Sequence, residues 1–428
     1  MLTLRQGAQG AQVDLLQWGL NRAGLLKEPA DGIFGAKTEQ SVRELQKNFN
    51  LEPDGVVGAQ SWAALYPHLT GLQTHLVQPG DTIWVIAARY RSTVAAVLTA
   101  NPGIRPENLQ SGMVLKIPLP FPVVPSSIRW CSDLLALTVD GLRARYPFLQ
   151  VETIGKSVLG RPLYLLRLGV GKVRVGYNAA HHANEWITTP LLLKFVENYA
   201  ENYAEGDTIG GVDYRYLYNA YTLEVVPMVD PDGVDLVTGA LPPDSPALSA
   251  AQAIAAAFPA VPFPDGWKAN IKGIDLNLSY PANWEKAKAV KYAQGYTRPA
   301  PRDFVGPAPL AAPESAAMAR QAKRANYALT LSLHSQGKLI FWKYADRAPA
   351  GAYELAKKMQ GVSGYLPAVT PPGSDNAGYK DWFIQEYNRP GYTIEVGQGQ
   401  NPLPLSQFDI IYRACFGILM LGMAGMDD

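Results

Sequence analysis

The sequence predicts an α/β domain built on a mixed sheet with helices on both faces, preceded by two small modules. Three observations support this prediction. Residues 127–428 alternate strand-like apolar runs with helical patterns, which favours a sheet covered by helices. Residues 1–70 repeat an Asp-Gly turn followed by an amphipathic stretch, whereas residues 74–120 follow the order strand, turn, two short helices, strand. A chain of 428 residues has room for three such domains.

Composition argues against several classes of partner and location. Lys and Arg number 38 against 37 Asp and Glu, a net charge of +1, so neither nucleic acid nor an anionic membrane surface is expected as a partner. Membrane insertion is not expected either, because no transmembrane segment is predicted. No basic segment followed by an apolar run opens the chain, so no signal peptide is predicted. The apolar stretch Cys415–Met426 is too short and glycine-rich to span a bilayer and predicts a packed terminal helix. Cys131 and Cys415 form no disulfide framework, and nothing indicates an oligomeric state.

The first 70 residues contain an internal echo. "DGIFGAKTEQSVRELQ" (Asp31–Gln46) and "DGVVGAQSWAAL" (Asp54–Leu65) each pass from an Asp-Gly turn through a second glycine into a helical pattern. A further amphipathic helix is expected over Val13–Gly24, which gives a three-helix bundle. The pattern resembles the peptidoglycan-binding helical domain, and this resemblance implies peptidoglycan as a partner.

The second module spans His75–Pro118. It carries "PGDT" near its start, "NP" in the middle and "LQSGMVLKIP" at its end. This arrangement resembles a LysM module, which implies recognition of glycans that contain N-acetylglucosamine. Either module alone could be a spacer, but two different glycan-binding patterns in tandem favour attachment to the cell wall. The proline-rich stretch Ile117–Pro125 then predicts a semi-rigid, extended linker.

Candidate catalytic residues lie at the ends of predicted strands in residues 127–428. The chain has five histidines, and two of them are adjacent in "AAHHANEWIT" (Ala179–Thr188). His182 and Glu185 share one turn, His334 ends the strand "YALTLSLHSQG", and Glu395 lies in "GYTIEVG". Catalytic zinc takes three protein ligands and keeps one open position, and a nearby carboxylate can serve as a base. The His-x-x-Glu spacing alone is common by chance, so the remaining motifs decide its meaning.

Five motifs in order turn this pattern into a family resemblance. "HANEW", "PDG", "GIDLN", "SLHS" and "TIEVG" resemble the zinc carboxypeptidase family over about residues 130–425. The resemblance implies a zinc carboxypeptidase-like fold and one Zn²⁺ held by His182, Glu185 and His334. It also implies that Glu395 is the general base and acid. Asp275 in "KGIDLNL" then orients the first histidine ligand, and His181 has a polar packing role.

The substrate end of the site departs from the family pattern. Digestive and regulatory members bind the C-terminal carboxylate of their substrate with an Asn-Arg pair. Here Asn277 matches the asparagine, but Leu278 takes the place of the arginine. Because leucine offers no guanidinium, bidentate capture of a terminal carboxylate is lost at this position.

Three further positions also differ. Lys268 in "GWKANIKG" falls where the family places the arginine that polarises the scissile carbonyl, although Lys272 or a nearby arginine is an alternative. Tyr379 is the nearest candidate for the tyrosine of the family's mobile loop, and an ordinary packed tyrosine explains it equally well. Asn184 replaces an arginine between two zinc ligands. The resemblance makes all three candidate contacts of the substrate or its reacting carbonyl.

"HANEWIT", "WKANIKGIDLN" and "YPANWE" resemble the bacterial γ-D-glutamyl-meso-diaminopimelate endopeptidases. The resemblance implies a zinc metallopeptidase that hydrolyses peptidoglycan stem peptides and is associated with the cell wall or the spore. Two alternatives remain at this point. One is a carboxypeptidase that trims C-terminal residues, which the missing arginine disfavours, and the other is a non-catalytic wall-binding protein.

Overall fold

The computed structural model describes residues 1–206, 208–209 and 212–425. The chain forms two compact units. The first comprises Met1–Val151 together with Glu197–Tyr214, and the second comprises Glu152–Val196 and the chain from Arg215 onward.

The secondary structure alternates helices and strands along most of the chain. The helices are α1 (Ala11–Arg22), α2 (Ala36–Asn48), α3 (Ala59–Thr70), α4 (Ile83–Arg89), α5 (Val94–Ala100), α6 (Ser132–Arg145), α7 (Thr188–Glu205), α8 (Tyr214–Ala220), α9 (Pro231–Val237), α10 (Pro246–Ala256), α11 (Trp284–Ala293), α12 (Pro313–Ala325), α13 (Ala352–Ser363), α14 (Tyr379–Tyr387) and α15 (Phe408–Ala424). The strands are β1 (Leu72–Leu76), β2 (Val114–Pro118), β3 (Gln150–Lys156), β4 (Pro162–Leu168), β5 (Val173–Ala179), β6 (Thr208–Ile209), β7 (Val212–Asp213), β8 (Tyr221–Val226), β9 (Leu329–Ser335), β10 (Leu339–Phe341), β11 (Leu366–Ala368) and β12 (Gly391–Val396).

The sequence repeat in the first 70 residues is also a structural repeat. Gln17 of α1 donates from its amide to Asp31 Oδ1 at 2.8 Å, and Gln46 of α2 donates in the same way to Asp54 Oδ1 at 2.8 Å. The glycine after each aspartate has a positive φ, 70° and 76°, and donates its N–H to the same glutamine. Each Asp-Gly turn is therefore fixed by the preceding helix and leads into the next one, as the predicted three-helix module requires.

The second module has the predicted order of strand, two helices and strand. β1 and β2 pair antiparallel, and α4 and α5 lie between them in the chain. Thr82 and Thr93 cap these helices, because their hydroxyls accept the N–H of the residue three positions on. A separate apolar cluster that includes Ile83, Ile86 and Leu115 forms its core.

The proline-rich stretch after β2, predicted as a semi-rigid, extended linker, is hydrogen-bonded to other parts of the first unit. Leu119 donates its N–H to the Gly71 carbonyl at 2.8 Å, and the Glu197 carboxylate accepts the N–H groups of Val123 and Val124. Prolines set the extended backbone of this segment, but these hydrogen bonds hold it against its neighbours.

The second unit is built on an eight-stranded sheet in the order β11-β10-β12-β9-β5-β8-β4-β3. The central pairs β12/β9, β9/β5 and β5/β8 are parallel, whereas β10/β12 and β4/β8 are antiparallel. This confirms the predicted mixed sheet. Every residue of β8 and β9 is buried, including polar residues such as Glu224 and Ser332, as is typical of strands that are covered on both faces.

Helix α15 follows the last strand and packs against α13. Within the described residues, the stretch Leu405–Ala424 is the one segment long and apolar enough to cross a membrane by composition, and 44% of the apolar 18-residue window inside it is buried. Core helices of soluble proteins have the same composition, so this finding is weak evidence for a membrane span. The terminal helix expected from the sequence ran to Met426, which lies outside the described residues.

Candidate active site

Two candidate metal ligands lie in the turn that follows β5. Thr188, the first residue of α7, stabilises this turn: its hydroxyl accepts the N–H of Ala180 at 3.0 Å and donates to the Glu185 carbonyl at 2.7 Å. Ala180 has a φ of 49°, in the left-handed region, where the chain leaves the strand direction. His182 and Glu185 follow in this turn, so both are held against the carboxyl end of the sheet.

The third candidate ligand comes from the end of β9, which pairs with β5. His182 Nδ1 lies 2.9 Å from Glu185 Oε1, and His334 Nδ1 lies 2.9 Å from Glu185 Oε2. The two Nδ1 atoms are 3.2 Å apart. All three side chains are buried, and one ligand atom from each lies within 4.8 Å of the others.

The donor set suits a single metal ion. Two imidazole nitrogens and a carboxylate oxygen are the ligands of many catalytic zinc sites. On the far side of His182, Nε2 lies 3.3 Å from Asp275 Oδ1, so its proton can be donated to that carboxylate and Nδ1 is left as a lone-pair donor. The Nε2 atom of His334 is buried without a hydrogen-bond partner in the described part of the chain. The triad is thus positioned to bind one metal ion.

Glu395 lies beside the triad on β12. Its carboxylate lines the adjacent cavity and has no hydrogen-bond partner within residues 1–206, 208–209 and 212–425. Burial and the nearby Glu185 carboxylate raise the pKa of Glu395 to about 8. A cation bound close by would lower that pKa again. An acceptor with no other partner beside a metal centre has the properties of a general base.

Lys268 contributes a positive charge to the same place. Its Nζ lies 3.0 Å from Glu185 Oε1, and its carbonyl accepts the N–H of Ala183 at 3.2 Å. Burial lowers the pKa of Lys268, but the charges of Glu185, Asp275 and Glu395 together outweigh burial, so the pKa is raised. Lys272, the sequence alternative, is exposed and does not line the cavity.

The cavity next to the triad has a volume of about 1180 Å³. Asn184, Asn277 and Leu278 all line it. Asn184 donates to the Asp265 carbonyl at 2.8 Å and keeps a buried Oδ1 with no partner among the described residues. Asn277 accepts the N–H of Tyr379 at 3.0 Å through Oδ1. Leu278 is 8% exposed and belongs to a small apolar cluster under the cavity wall.

Comparison with known proteins follows from this geometry. A model of the zinc carboxypeptidase family matches residues 137–414. The chain belongs to the zinc carboxypeptidase family. A putative peptidoglycan-binding domain matches residues 9–65 and a LysM domain matches residues 75–118, which confirms both resemblances of the N-terminal modules.

Two curated relatives of this zinc carboxypeptidase family member are bacterial. Gamma-D-glutamyl-L-diamino acid endopeptidase 1 of Lysinibacillus sphaericus is 40% identical over 400 residues, covering 81% of this chain and 99% of that protein. The uncharacterised protein YqgT of Bacillus subtilis is 40% identical over 285 residues, covering 64% of this chain and 72% of that protein. Among solved structures, thrombin activatable fibrinolysis inhibitor shares the fold, with a TM-score of 0.55 at 16% identity over 83% of this chain and 98% of that chain.

Two residues singled out in the sequence lie away from the cavity of this family member. Tyr379 is 1% exposed, and its ring packs against His181, Tyr280 and Trp382. His181 is fully buried, and its Nε2 lies 3.0 Å from the Tyr280 hydroxyl. His181 is thus outside the triad, and the Tyr379 side chain is a packed aromatic group that does not line the cavity.

Sequence reasoning missed several charged residues that line the cavity: Lys291, Arg302, Asp303, Lys380 and Asp381. None of them ends a predicted strand or belongs to a motif. Arg302 and Asp303 lie in the irregular segment between α11 and α12, where no hydrophobic period indicates which way a side chain points.

Proposed function

We propose that this family member is a peptidoglycan hydrolase that cleaves the γ-D-glutamyl-meso-diaminopimelate bond of stem peptides. The observation that carries the proposal is the combination of a complete His182-Glu185-His334 triad and Glu395 with Leu278 at the position of the carboxylate-binding arginine. The relative from Lysinibacillus sphaericus supports it, because its name describes an endopeptidase that acts on a γ-D-glutamyl-L-diamino acid bond and this chain covers 99% of it.

The catalytic groups divide the chemistry of amide hydrolysis between them. A zinc ion held by the triad would supply Lewis acidity at the scissile carbonyl and make water more acidic. Glu395 takes a proton from the attacking water and later passes it to the leaving amine. Lys268 stabilises the negative charge that develops on the carbonyl oxygen. Asp275 keeps His182 in the tautomer and orientation that ligation requires.

The remaining cavity residues bind the substrate chain. Asn184 Oδ1 offers a buried acceptor for a substrate N–H, and the Asn277 amide group offers donors because its Oδ1 already accepts from Tyr379. Leu278 offers only apolar contact. A plain peptide would have to bury its terminal carboxylate at Leu278 without a partner, which would cost several kcal/mol. This disfavours ordinary C-terminal trimming. Tyr379 has no substrate contact in this proposal.

The two N-terminal modules attach the enzyme to its polymer. Peptidoglycan-binding and LysM domains support a cell-wall-associated protein, and we place its action on the vegetative or spore wall. Attachment raises the local concentration of stem peptides around the catalytic cavity. The modules contribute affinity for insoluble substrate, whereas the cavity determines which bond is cut.

Digestion of purified muropeptides followed by mass spectrometry tests the proposal. We expect L-Ala-D-Glu still linked to its disaccharide and a fragment with diaminopimelate at its new N-terminus, with no products from a Glu395→Gln protein. Release of D-alanine from the C-terminus would instead identify a carboxypeptidase. A protein that carries zinc and cleaves no muropeptide would identify a wall-binding protein without this activity.

A further inference from the structure

The active-site cavity is lined by several cations to which the proposed mechanism gives no role. Among the described residues, the Lys and Arg side chains that line the cavity are those of Lys268, Lys291, Arg302 and Lys380. Three of the four are largely buried, with side-chain exposures of 20%, 8% and 5% for Lys268, Lys291 and Lys380. Arg302 is 43% exposed. It is therefore the cation most accessible to a molecule in the cavity.

The guanidinium of Arg302 has hydrogen-bond donors that are not used within the described residues. Its Nε donates to Asp303 Oδ2 at 2.6 Å, and its two terminal amino groups have no hydrogen-bond partner in the part of the chain that the structure describes. The charge of Asp303 is already balanced from the other side, because Lys291 Nζ lies 2.6 Å from Asp303 Oδ1. One carboxylate thus serves two cations, and the three groups together carry a net positive charge.

The backbone fixes Arg302 close to the reacting groups. The carbonyl of Pro301, the preceding residue, accepts the N–H groups of Lys268 at 2.8 Å and Ala269 at 2.9 Å. Asp303, the following residue, donates its N–H to Asp275 Oδ2 at 3.2 Å. The backbone on either side of Arg302 is thus held by the segment of Lys268 and by the aspartate that orients His182, and Arg302 lines the same cavity as His182 and His334.

We infer that Arg302 binds a free carboxylate of the substrate through its two terminal amino groups. This inference rests on the proposed function and names a specificity residue for it. A guanidinium edge matches the two oxygens of a carboxylate, and Leu278 cannot provide this interaction. The γ-linkage leaves the α-carboxylate of D-glutamate free, and diaminopimelate carries two further carboxyl groups. The shared chemistry is a carboxylate, and the substrate series below distinguishes its sources.

The experiment compares the full-length zinc-loaded wild type with Arg302→Gln, Arg302→Lys and the control Arg298→Gln. Arg298 lies in the same segment, where it stacks on Phe258 at 5.8 Å and does not line the cavity. The substrates are L-Ala-γ-D-Glu-meso-diaminopimelate and three derivatives that each carry one amide: on the glutamyl α-carboxyl, on the near diaminopimelate carboxyl, or on its distal carboxyl.

For the parent peptide we expect Arg302→Gln to lower kcat/KM by about ten- to a hundredfold, mainly through KM, as for the loss of a charged hydrogen-bond pair. Arg302→Lys should retain part of the effect, and Arg298→Gln should match wild type. On one of the amidated peptides, wild type and Arg302→Gln should have equal kcat/KM. The carboxyl that is amidated in that peptide is the one that Arg302 binds. An equal loss of kcat/KM on all four peptides would mean that Arg302 only positions Asp303, and it would overturn the inference. The absence of any loss on all four peptides would also overturn it.

A binding measurement separates this inference from the proposed function. Calorimetric titration of the parent peptide into Glu395→Gln, with and without Arg302→Gln, reports the carboxylate contact without turnover. If wild type fails to cleave the γ-linked bond but Arg302→Gln still weakens binding about tenfold, the proposed reaction is wrong and the carboxylate site stands. If cleavage occurs and the affinity is unchanged, the proposed function stands and the inference fails.

Discussion

His334 and Glu395 are direct register partners on the neighbouring parallel strands β9 and β12. Residues paired in this way point to the same side of a sheet, so a candidate metal ligand and the candidate base lie next to each other. A slip of one residue in this pairing would turn Glu395 to the opposite face. The catalytic pairing therefore depends on strand register, which both buried strands specify through their side chains.

The metal assignment predicts that loss of a ligand and loss of the base have different effects. Purified protein should contain about one zinc per chain. His334→Ala should lose zinc and activity together, because only two ligands remain. Glu395→Gln should keep zinc and lose turnover, because its amide cannot accept the proton. Metal analysis beside peptide hydrolysis checks both, and full activity in a zinc-free His334→Ala protein would refute the assignment.

Replacing Leu278 tests the missing carboxylate site. Leu278→Arg should raise kcat/KM for plain peptides with a free C-terminal carboxylate relative to the same peptides as amides. The gain should be modest, because the added guanidinium has no supporting partners. Leu278 also packs against Trp284 and Val305, so some stability should be lost. Leu278→Met is the size-matched control. Efficient trimming of the plain peptide by wild type would contradict the endopeptidase proposal.

Glu314 should make the second unit less stable as pH rises. Its side chain is fully buried, and burial raises its pKa to about 7 from a usual 4.5. A carboxyl whose pKa is higher in the folded state binds its proton more tightly there. It therefore contributes stability below about pH 4.5, and that contribution is lost as pH rises towards about 7. The shift corresponds to about 3 kcal/mol.

Glu314→Gln should remove this pH dependence of the free energy of unfolding, because glutamine does not titrate. The glutamine also replaces an acceptor of the Asn270 amide, which lies 3.2 Å from Glu314 Oε2, so the variant should be less stable than wild type by about 1–3 kcal/mol at low pH. This deficit should shrink or reverse at high pH, where the wild type has lost the contribution of its protonated carboxyl. Urea unfolding read by hydrogen exchange of peptides from the second unit, at about pH 5 and about pH 8, gives both quantities. If the free energy of unfolding changes equally with pH in wild type and variant, Glu314 does not titrate in this range.

Trp84 of the LysM module should contribute to wall binding. Its side chain is 61% exposed on α4, and an exposed indole is suited to pack against sugar rings. Trp84→Ala should weaken sedimentation of the full-length protein with purified sacculi and leave hydrolysis of a soluble stem peptide unchanged. Tyr353→Ala, which removes an exposed aromatic group from the second unit, is the matched control. Unchanged sedimentation would exclude Trp84 from the glycan-binding surface.

The sequence predicted the parts of the site that are carried by strands. Buried strands have strong apolar runs, and His334 and Glu395 follow from the ends of two of them. The triad follows from the resemblance of five motifs to the zinc carboxypeptidase family, because the His-x-x-Glu spacing alone is common by chance. The strands β3, β4, β10 and β11 were not predicted, because they are short or only partly buried.

The cavity residues that the sequence did not predict were missed for one physical reason. Arg302, Asp303 and Lys380 are brought to the cavity by irregular segments or by the start of a helix, and their meaning depends on partners far away in the sequence. The sequence also left open whether Tyr379 is a packed tyrosine or a substrate contact. Its burial depends on His181, Tyr280 and Trp382, which no local pattern relates to one another.

The first unit is not one continuous piece of chain, since it needs residues 197–214 in addition to residues 1–151. During synthesis the ribosome must therefore extend the chain to about its midpoint before this unit can be completed, although the two N-terminal modules emerge much earlier. The same interruption limits engineering. A chimaera that joins foreign wall-binding modules at a single cut before residue 127 would leave the Glu197 carboxylate without the N–H groups of Val123 and Val124. An exchange of modules therefore has to keep the native segment after Leu119 in place.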